Sequence, residues 1–240
     1  MSKFTKDDTT LLVRMVIHDM DAPLAVIERL MSRICIGRFD PKNDTHSRLI
    51  RSSTLALDRV RKMLRDMQEV IAGQPLQANP ETIELKDLAK SIVQEISPLV
   101  ASEGQRMKTT CKDNRPVTTD TVLIKRVAVN YITNAIYHNE KGHPIELKLF
   151  GHGDSGYGLK VINYGSNIPE EHINDIFEAG VQLDMRANRK YRGHGLGLAF
   201  CKMVADVLGG NVEAKNLTDT AGVCFSIVIH QSLNFKQKGK

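Results

Sequence analysis

Tryptophan is absent from the 240 residues, and aromatic side chains make up only 5% of them, so aliphatic residues must build any core. The four cysteines, Cys35, Cys111, Cys201 and Cys224, form no CxxC pair and have no metal-ligand spacing. That excludes a disulfide framework and a thiolate metal site, and points to reduced thiols, three of them in apolar surroundings, in a cytoplasmic protein. No uninterrupted apolar run approaches the roughly 18–20 residues of a membrane span. The polar N-terminus, MSKFTKDDTT, lacks the apolar core of a secretory signal. Helix-turn-helix, RNA-recognition and zinc-finger signatures are also missing. The net charge of +5 is dispersed, apart from Arg186–Arg192 and Lys236, Lys238 and Lys240, so no nucleic acid is expected as the main partner. A DNA-associated dimer remains a rival, to be recognised by steep salt dependence of duplex binding.

What is present is the composition of folded domains, 41% hydrophobic and 25% charged. From Thr9 to about Gly37, Leu12, Val16, Met20, Leu24, Ile27, Leu30, Met31 and Ile34 recur at helical spacing, and Gly37 with Pro41 forms a stop signal. Asn43 or Asp44 would cap a second helix running to about Ala72. On it, Ala56, Val60, Met63, Met67 and Val70 form one stripe, and Ile50, Leu57, Leu64 and Ile71, seven apart, form another. A single hairpin cannot bury both. The expected solution is a four-helix bundle from two antiparallel hairpins, hence a homodimer.

Helix one carries the anomaly His18-Asp19-Met20-Asp21-Ala22-Pro23-Leu24. A proline inside a helix bends the chain about one turn back, beside His18, and Asp19 and Asp21 add carboxylates there. Alone, a histidine on an amphipathic helix is merely solvated. As a set with the following acid and Pro23, the segment resembles the H box of histidine kinases.

After Pro75 and Pro80 the periodicity changes. Short strands are expected at 81–85, 107–111, 144–151, 158–163, 211–215 and 223–229, with helices at 86–103, 119–139, 170–177 and 195–209. Strands sharing one sheet, faced by helices, predict a two-layer α/β sandwich. The overall class is α+β, with a helical hairpin over 1–75 followed by the sandwich over 76–240.

Gly193-His194-Gly195-Leu196-Gly197 leads directly into a helix. Three glycines at alternate positions expose backbone N–H groups at the positive end of a helix dipole, an anion site that a triphosphate can approach closely. No strand precedes them, which excludes a dinucleotide-binding turn; the basic loop Leu183–Arg192 does instead. Asn130 and Asn134 lie one turn apart on a mostly apolar helix, followed by His138. Such amides need partners, and Asn134 has a carbonyl suited to a divalent cation. Asn163-Tyr164-Gly165-Ser166-Asn167 and Ile176-Phe177-Glu178 come next.

In order and spacing these segments resemble the N, G1, F and G2 boxes of the GHKL ATPase superfamily, with the catalytic domain of sensor histidine kinases the nearest fit. The resemblance covers about residues 9–230. It implies ATP and Mg²⁺ as cofactors, Asn134 as the metal ligand, and a nucleotide site of Asn130, Asn134, His138, Asn163, Gly165, Asn167, Arg192, Gly193, His194, Gly195, Leu196 and Gly197. It implies further that His18 attacks the γ-phosphoryl group with Asp19 orienting or deprotonating the ring. Arg186, Arg189, Lys190 or Arg192 would neutralise phosphate charge. The phosphohistidine would then pass its phosphoryl group to an aspartate of a response-regulator partner. Gyrase-type and chaperone ATPases of the superfamily carry a catalytic Glu where this chain has Asn130, which disfavours water activation.

Three departures stand out. Asn163 replaces the Asp that accepts from the adenine amine, losing charge assistance of about 1–2 kcal/mol, roughly tenfold in affinity. Asn167 replaces a glycine of the same box, and Tyr137 stands where a basic residue is frequent. Ala22 replaces the Thr or Asn that positions water for dephosphorylating the partner, so low phosphatase activity is expected. Asp21 replaces a basic residue. A histidine phosphotransferase or pseudokinase using the second domain for docking is the runner-up. Only about eight residues precede helix one, so input is expected through a partner or from the rest of a longer protein.

Overall fold

The computed structural model describes Met20 and residues 23–40, 42–71, 76–178 and 197–230, which fall into two compact units, a helical hairpin and an α/β domain. His18, Asp19, Asp21 and Ala22 lie outside the described residues.

In the hairpin, residues 23–35 are helical (α1) and Asp44–Ile71 form α2. Gly37 ends α1 with φ 67°. Its N–H donates to Ile34 O (3.1 Å) while Arg38 N–H donates to Arg33 O (3.0 Å), satisfying two carbonyls that a helix end leaves open. Of the two candidate caps, Asn43 is the one used. Its Oδ1 accepts from Thr45 N (2.9 Å) and His46 N (3.4 Å). His46 then locks the turn. Asp40 N–H donates to the ring Nδ1 (2.9 Å), and Nε2 lies 3.0 Å from Arg33 Nη1. The ring also stacks on Phe39, centroids 5.4 Å apart. Further along, Ser53 Oγ donates to Val26 O (3.3 Å), tying α2 to α1.

The two stripes of α2 separate as their spacing implies. Ala56 is buried and Val60 half-buried, whereas Ile50, Leu57 and Leu64 are exposed, as are Leu24, Met31 and Ile34 of α1. The hairpin alone leaves an apolar seam uncovered.

In the α/β unit a five-stranded sheet runs in the order β2-β4-β5-β7-β6. The strands are β2 (Met107–Cys111), β4 (Ile145–His152), β5 (Gly156–Tyr164), β6 (Gly210–Asn216) and β7 (Gly222–Ile229). Only β2 and β4 pair in parallel. The helices α3 (Leu85–Ser102), α4 (Thr121–His138) and α5 (Gly197–Leu208) supply the second layer. Along β5, Leu159, Val161 and Asn163 share one face and are buried, while Lys160, Ile162 and Tyr164 take the other. Leu88, Ile92, Ile124, Val127, Ile132, Phe200 and Val204 meet Leu147, Leu159, Val161 and Ile227 in one core. Each such side chain stabilises by about 1.5–3 kcal/mol when fully buried. Tyr131 stacks on Phe225 (centroids 5.6 Å) and donates its hydroxyl to Ser226 O (3.2 Å), so the buried phenol is satisfied.

Four sequence expectations need correction. The strand at 81–85 is β1 (Glu81–Glu84) and lies outside the main sheet, pairing antiparallel with β3 (Pro116–Thr119). That second strand was not expected, because four residues opening on proline carry too little pattern. Residues 170–177 are two 3₁₀ turns, Glu170–His172 and Asp175–Phe177, not one helix. Of the cysteines only Cys201 is buried; Cys35 is exposed, and Cys111 and Cys224 are intermediate.

Candidate functional site

Helix α4 organises the site. Asp120 caps it, accepting from Leu123 N (2.9 Å) through Oδ1 and from Asn79 N (2.8 Å) through Oδ2. One carboxylate therefore starts the helix and anchors the segment entering β1. Asn130 and Asn134 lie one turn apart on this helix and project from neighbouring positions of one face. Asn130 is only 4% exposed, so its amide requires a partner. It has one: Nδ2 donates to Gly197 O, 3.2 Å away, at the first residue of α5. Cys201 Sγ donates to the same carbonyl (3.1 Å). A Cβ on Gly197 would sit 3.4 Å from Asn130 Cγ and Oδ1, in ordinary contact with the amide. The last residue of the glycine run is thereby fixed to the asparagine helix, with Asn134, half-buried, a turn away.

The other wall is the end of β5. Gly165 has φ 155°, and a Cβ there would lie 2.2 Å from His138 O, the final carbonyl of α4. Here the backbone of β5 passes too close to α4 for any other residue. Asn139 fastens the same junction. Its Oδ1 accepts from Tyr164 N (2.9 Å), and its Nδ2 donates to His143 O (2.7 Å) and Gln105 Oε1 (3.0 Å). His138 is exposed over part of its surface, while desolvation of the imidazole lowers its pKa below the ordinary value.

Asn163, 1% exposed, faces the helical layer from β5. Its Nδ2 is a buried side-chain donor with no hydrogen-bond partner. Asn167 is engaged otherwise: its Oδ1 accepts from Gly222 N (2.9 Å), bracing the start of β7. Beside it, Asn216 makes a reciprocal pair with Ile168, Oδ1 accepting from Ile168 N and Nδ2 donating to Ile168 O, both 2.8 Å. Ile176 and Phe177 are core residues, and Glu178 pairs with Lys202 of α5.

The structure thus brings Asn130, Asn134 and Gly197 together on α4 and α5, with Asn163, Gly165 and His138 at the adjoining sheet end. Arg192, Gly193, His194, Gly195 and Leu196, the loop Leu183–Arg192, and the pair His18 and Asp19 lie outside the described residues. Sequence reading missed Asp120, Asn139 and Asn216. For the first two a signal existed, since each flanks a predicted helix end; Asn216 carried none.

The sequence profile described as "Histidine kinase-, DNA gyrase B-, and HSP90-like ATPase" matches residues 119–233. The adaptive-response sensory kinase SasA of Prochlorococcus marinus is 26% identical over 223 residues, covering 91% of this chain, which spans 56% of that relative. Among solved structures, the Acinetobacter baumannii histidine kinase AdeS superposes with TM-score 0.66 at 20% identity, covering 90% of this chain and 98% of AdeS. The histidine kinase ThkA, in complex with the response regulator TrrA, gives TM-score 0.64 at 19% identity, over 90% of this chain and 60% of that one. Residues 119–233 thus match the histidine kinase-, DNA gyrase B- and HSP90-like ATPase family, and the chain as a whole, which spans about half the length of SasA, is similar in sequence and fold to two-component sensor histidine kinases.

Proposed function

We propose that this chain is an ATP-dependent protein-histidine kinase whose phosphoacceptor is His18 and whose product is passed to a response-regulator aspartate. The observation that carries this is the bond from Asn130 to Gly197 O, which joins the asparagine face of α4 to the end of the glycine run. Asn134, whose amide oxygen is a hard ligand, would hold the Mg²⁺ ion that accompanies the nucleotide and offsets its phosphate charge. Backbone N–H groups at Gly193, Gly195 and the start of α5 take the phosphates. One imidazole nitrogen of His18 forms the new P–N bond as the bond from the γ-phosphorus to the bridging oxygen breaks. ADP leaves, and the other ring nitrogen gives its proton to Asp19 or solvent. Arg186, Arg189, Lys190 or Arg192 neutralises charge on the phosphates.

The domain reading is 1–75 for dimerisation and phosphoacceptance and 76–240 for nucleotide binding. Homodimerisation is supported by the exposed seam of Leu24, Met31, Ile50, Leu57 and Leu64. The ThkA complex supports a receiver domain as the partner. Among the described residues no helix is long and apolar enough to cross a membrane. A second reading, a phosphotransferase or pseudokinase with weakened ATP binding, draws on Asn163 and Asn167.

Calorimetric titration with Mg²⁺ and ATP tests the nucleotide half of the proposal. Saturable binding that is weakened at least tenfold in Asn134→Ala, and that depends on Mg²⁺ in the wild type only, is expected. Binding that ignores both Mg²⁺ and Asn134 would contradict the assignment.

A further inference from the structure

Asn163 reaches the helical layer at the end of β5, on the face shared with Leu159 and Val161, and it is 99% shielded from solvent on the 1% exposure it retains. Its amide nitrogen donates to nothing in the protein. A buried donor left unpaired is costly enough that native structures rarely keep one without a reason. Its backbone lies in register with Val223 of β7, which leaves the side-chain nitrogen as the group without a partner. A ligand acceptor would supply one.

We infer that the base pocket accepts 6-oxopurine triphosphates as well as ATP, with Asn163 the residue that sets this breadth. The inference rests on the nucleotide-binding reading above, in which position 163 meets the 6-position of the base. A carboxylate there offers acceptors only. It pairs with the 6-amino group of adenine and opposes the 6-oxo group of hypoxanthine or guanine, leaving two buried acceptors face to face. An amide offers one acceptor and one donor. Its oxygen takes a proton from a 6-amino group, and its nitrogen, unengaged in this structure, donates to a 6-oxo group. Discrimination between purines therefore falls when Asp is exchanged for Asn. Inosine triphosphate is the cleanest probe, because it exchanges the 6-amino for a 6-oxo group without adding the 2-amino group of guanine.

The test is competitive binding of ATP and inosine triphosphate, each with Mg²⁺, to the full chain and to Asn163→Asp, whose folding is checked by thermal unfolding. In the wild type, inosine triphosphate is expected to bind within about tenfold of ATP, the difference of roughly one hydrogen bond. In Asn163→Asp the ratio is expected to move toward ATP by about tenfold or more. A wild-type preference for ATP well beyond tenfold overturns the inference and leaves the nucleotide site standing, and this comparison needs no variant. An unchanged ratio in a folded Asn163→Asp overturns it too. Failure of both nucleotides to bind overturns the inference together with the reading on which it rests.

Discussion

The side-chain amide of Asn130 donates to the backbone carbonyl of Gly197 across 3.2 Å, from the middle of α4 to the first residue of α5. Because Asn130 is buried, this bond is made in a low-dielectric setting and its loss leaves a polar group short of a partner. Asn130→Ala is predicted to cost about 1–2 kcal/mol in urea unfolding. Asn130→Asp removes the donor as well and should do no better. Gly197→Ala places a Cβ against the same amide. That change keeps the acceptor carbonyl and should cost little, whereas a urea midpoint unchanged in Asn130→Ala would show that the bond contributes nothing.

Gly165→Ala is a harsher change. The new Cβ meets the backbone carbonyl of His138, which cannot turn aside as a side chain can, at a φ that alanine rarely adopts. A loss of about 3 kcal/mol is expected, from overpacking and backbone strain together. A thermal midpoint within a degree or two of the wild type would refute the close approach.

Much of this architecture was legible beforehand, and its gaps have physical causes. The helix α4 was predicted because Ile124, Val127, Tyr131 and Ala135 repeat at helical spacing, and all are buried. The strands β4 and β5 were predicted from alternation, which the register Leu147 to Val161 and Leu149 to Leu159 bears out. The strand β3 was not, because its stability comes from pairing with β1 and not from its own four residues. In the site, Asn130 was singled out as an amide needing a partner, but its partner is 67 residues away and no local pattern names it. That Asn167 braces Gly222, 55 residues on, carried no sign in its own segment. A polar residue in a loop gives no sign of which loop it will hold.

Glu146 supplies a pH dependence. The Lys148 ammonium (2.6 Å) and, next, the Tyr164 hydroxyl (2.7 Å) hold its carboxyl below the ordinary value of 4.5. A lowered folded value stabilises fully above the unfolded one and is lost as pH falls through the folded one. Tyr164→Phe removes one of these bonds and lets the folded value rise. Stability at neutral pH should drop by about 1 kcal/mol, and the gap should shrink as pH falls through the lowered folded value and the carboxyl becomes protonated in both. Denaturant midpoints measured from pH 7 to pH 3 decide this; a constant gap across that range would contradict it.

The seam on the hairpin makes a further prediction. Leu57 and Leu64 lie seven residues apart on α2 and are 42% and 45% exposed in one chain. Leu57→Glu with Leu64→Glu should leave a single chain of 26.8 kDa by light scattering, where the wild type is expected at twice that mass. Dimers that survive both substitutions would place the interface elsewhere.

Incubation with γ-labelled ATP and Mg²⁺ tests the central claim most directly, comparing wild type with His18→Ala and Asn134→Ala. Acid-labile label on the wild type, lost in both variants, is the predicted result. Label that persists in His18→Ala, or a wild type that takes no label from ATP yet accepts it from another phosphoprotein, would contradict the kinase assignment.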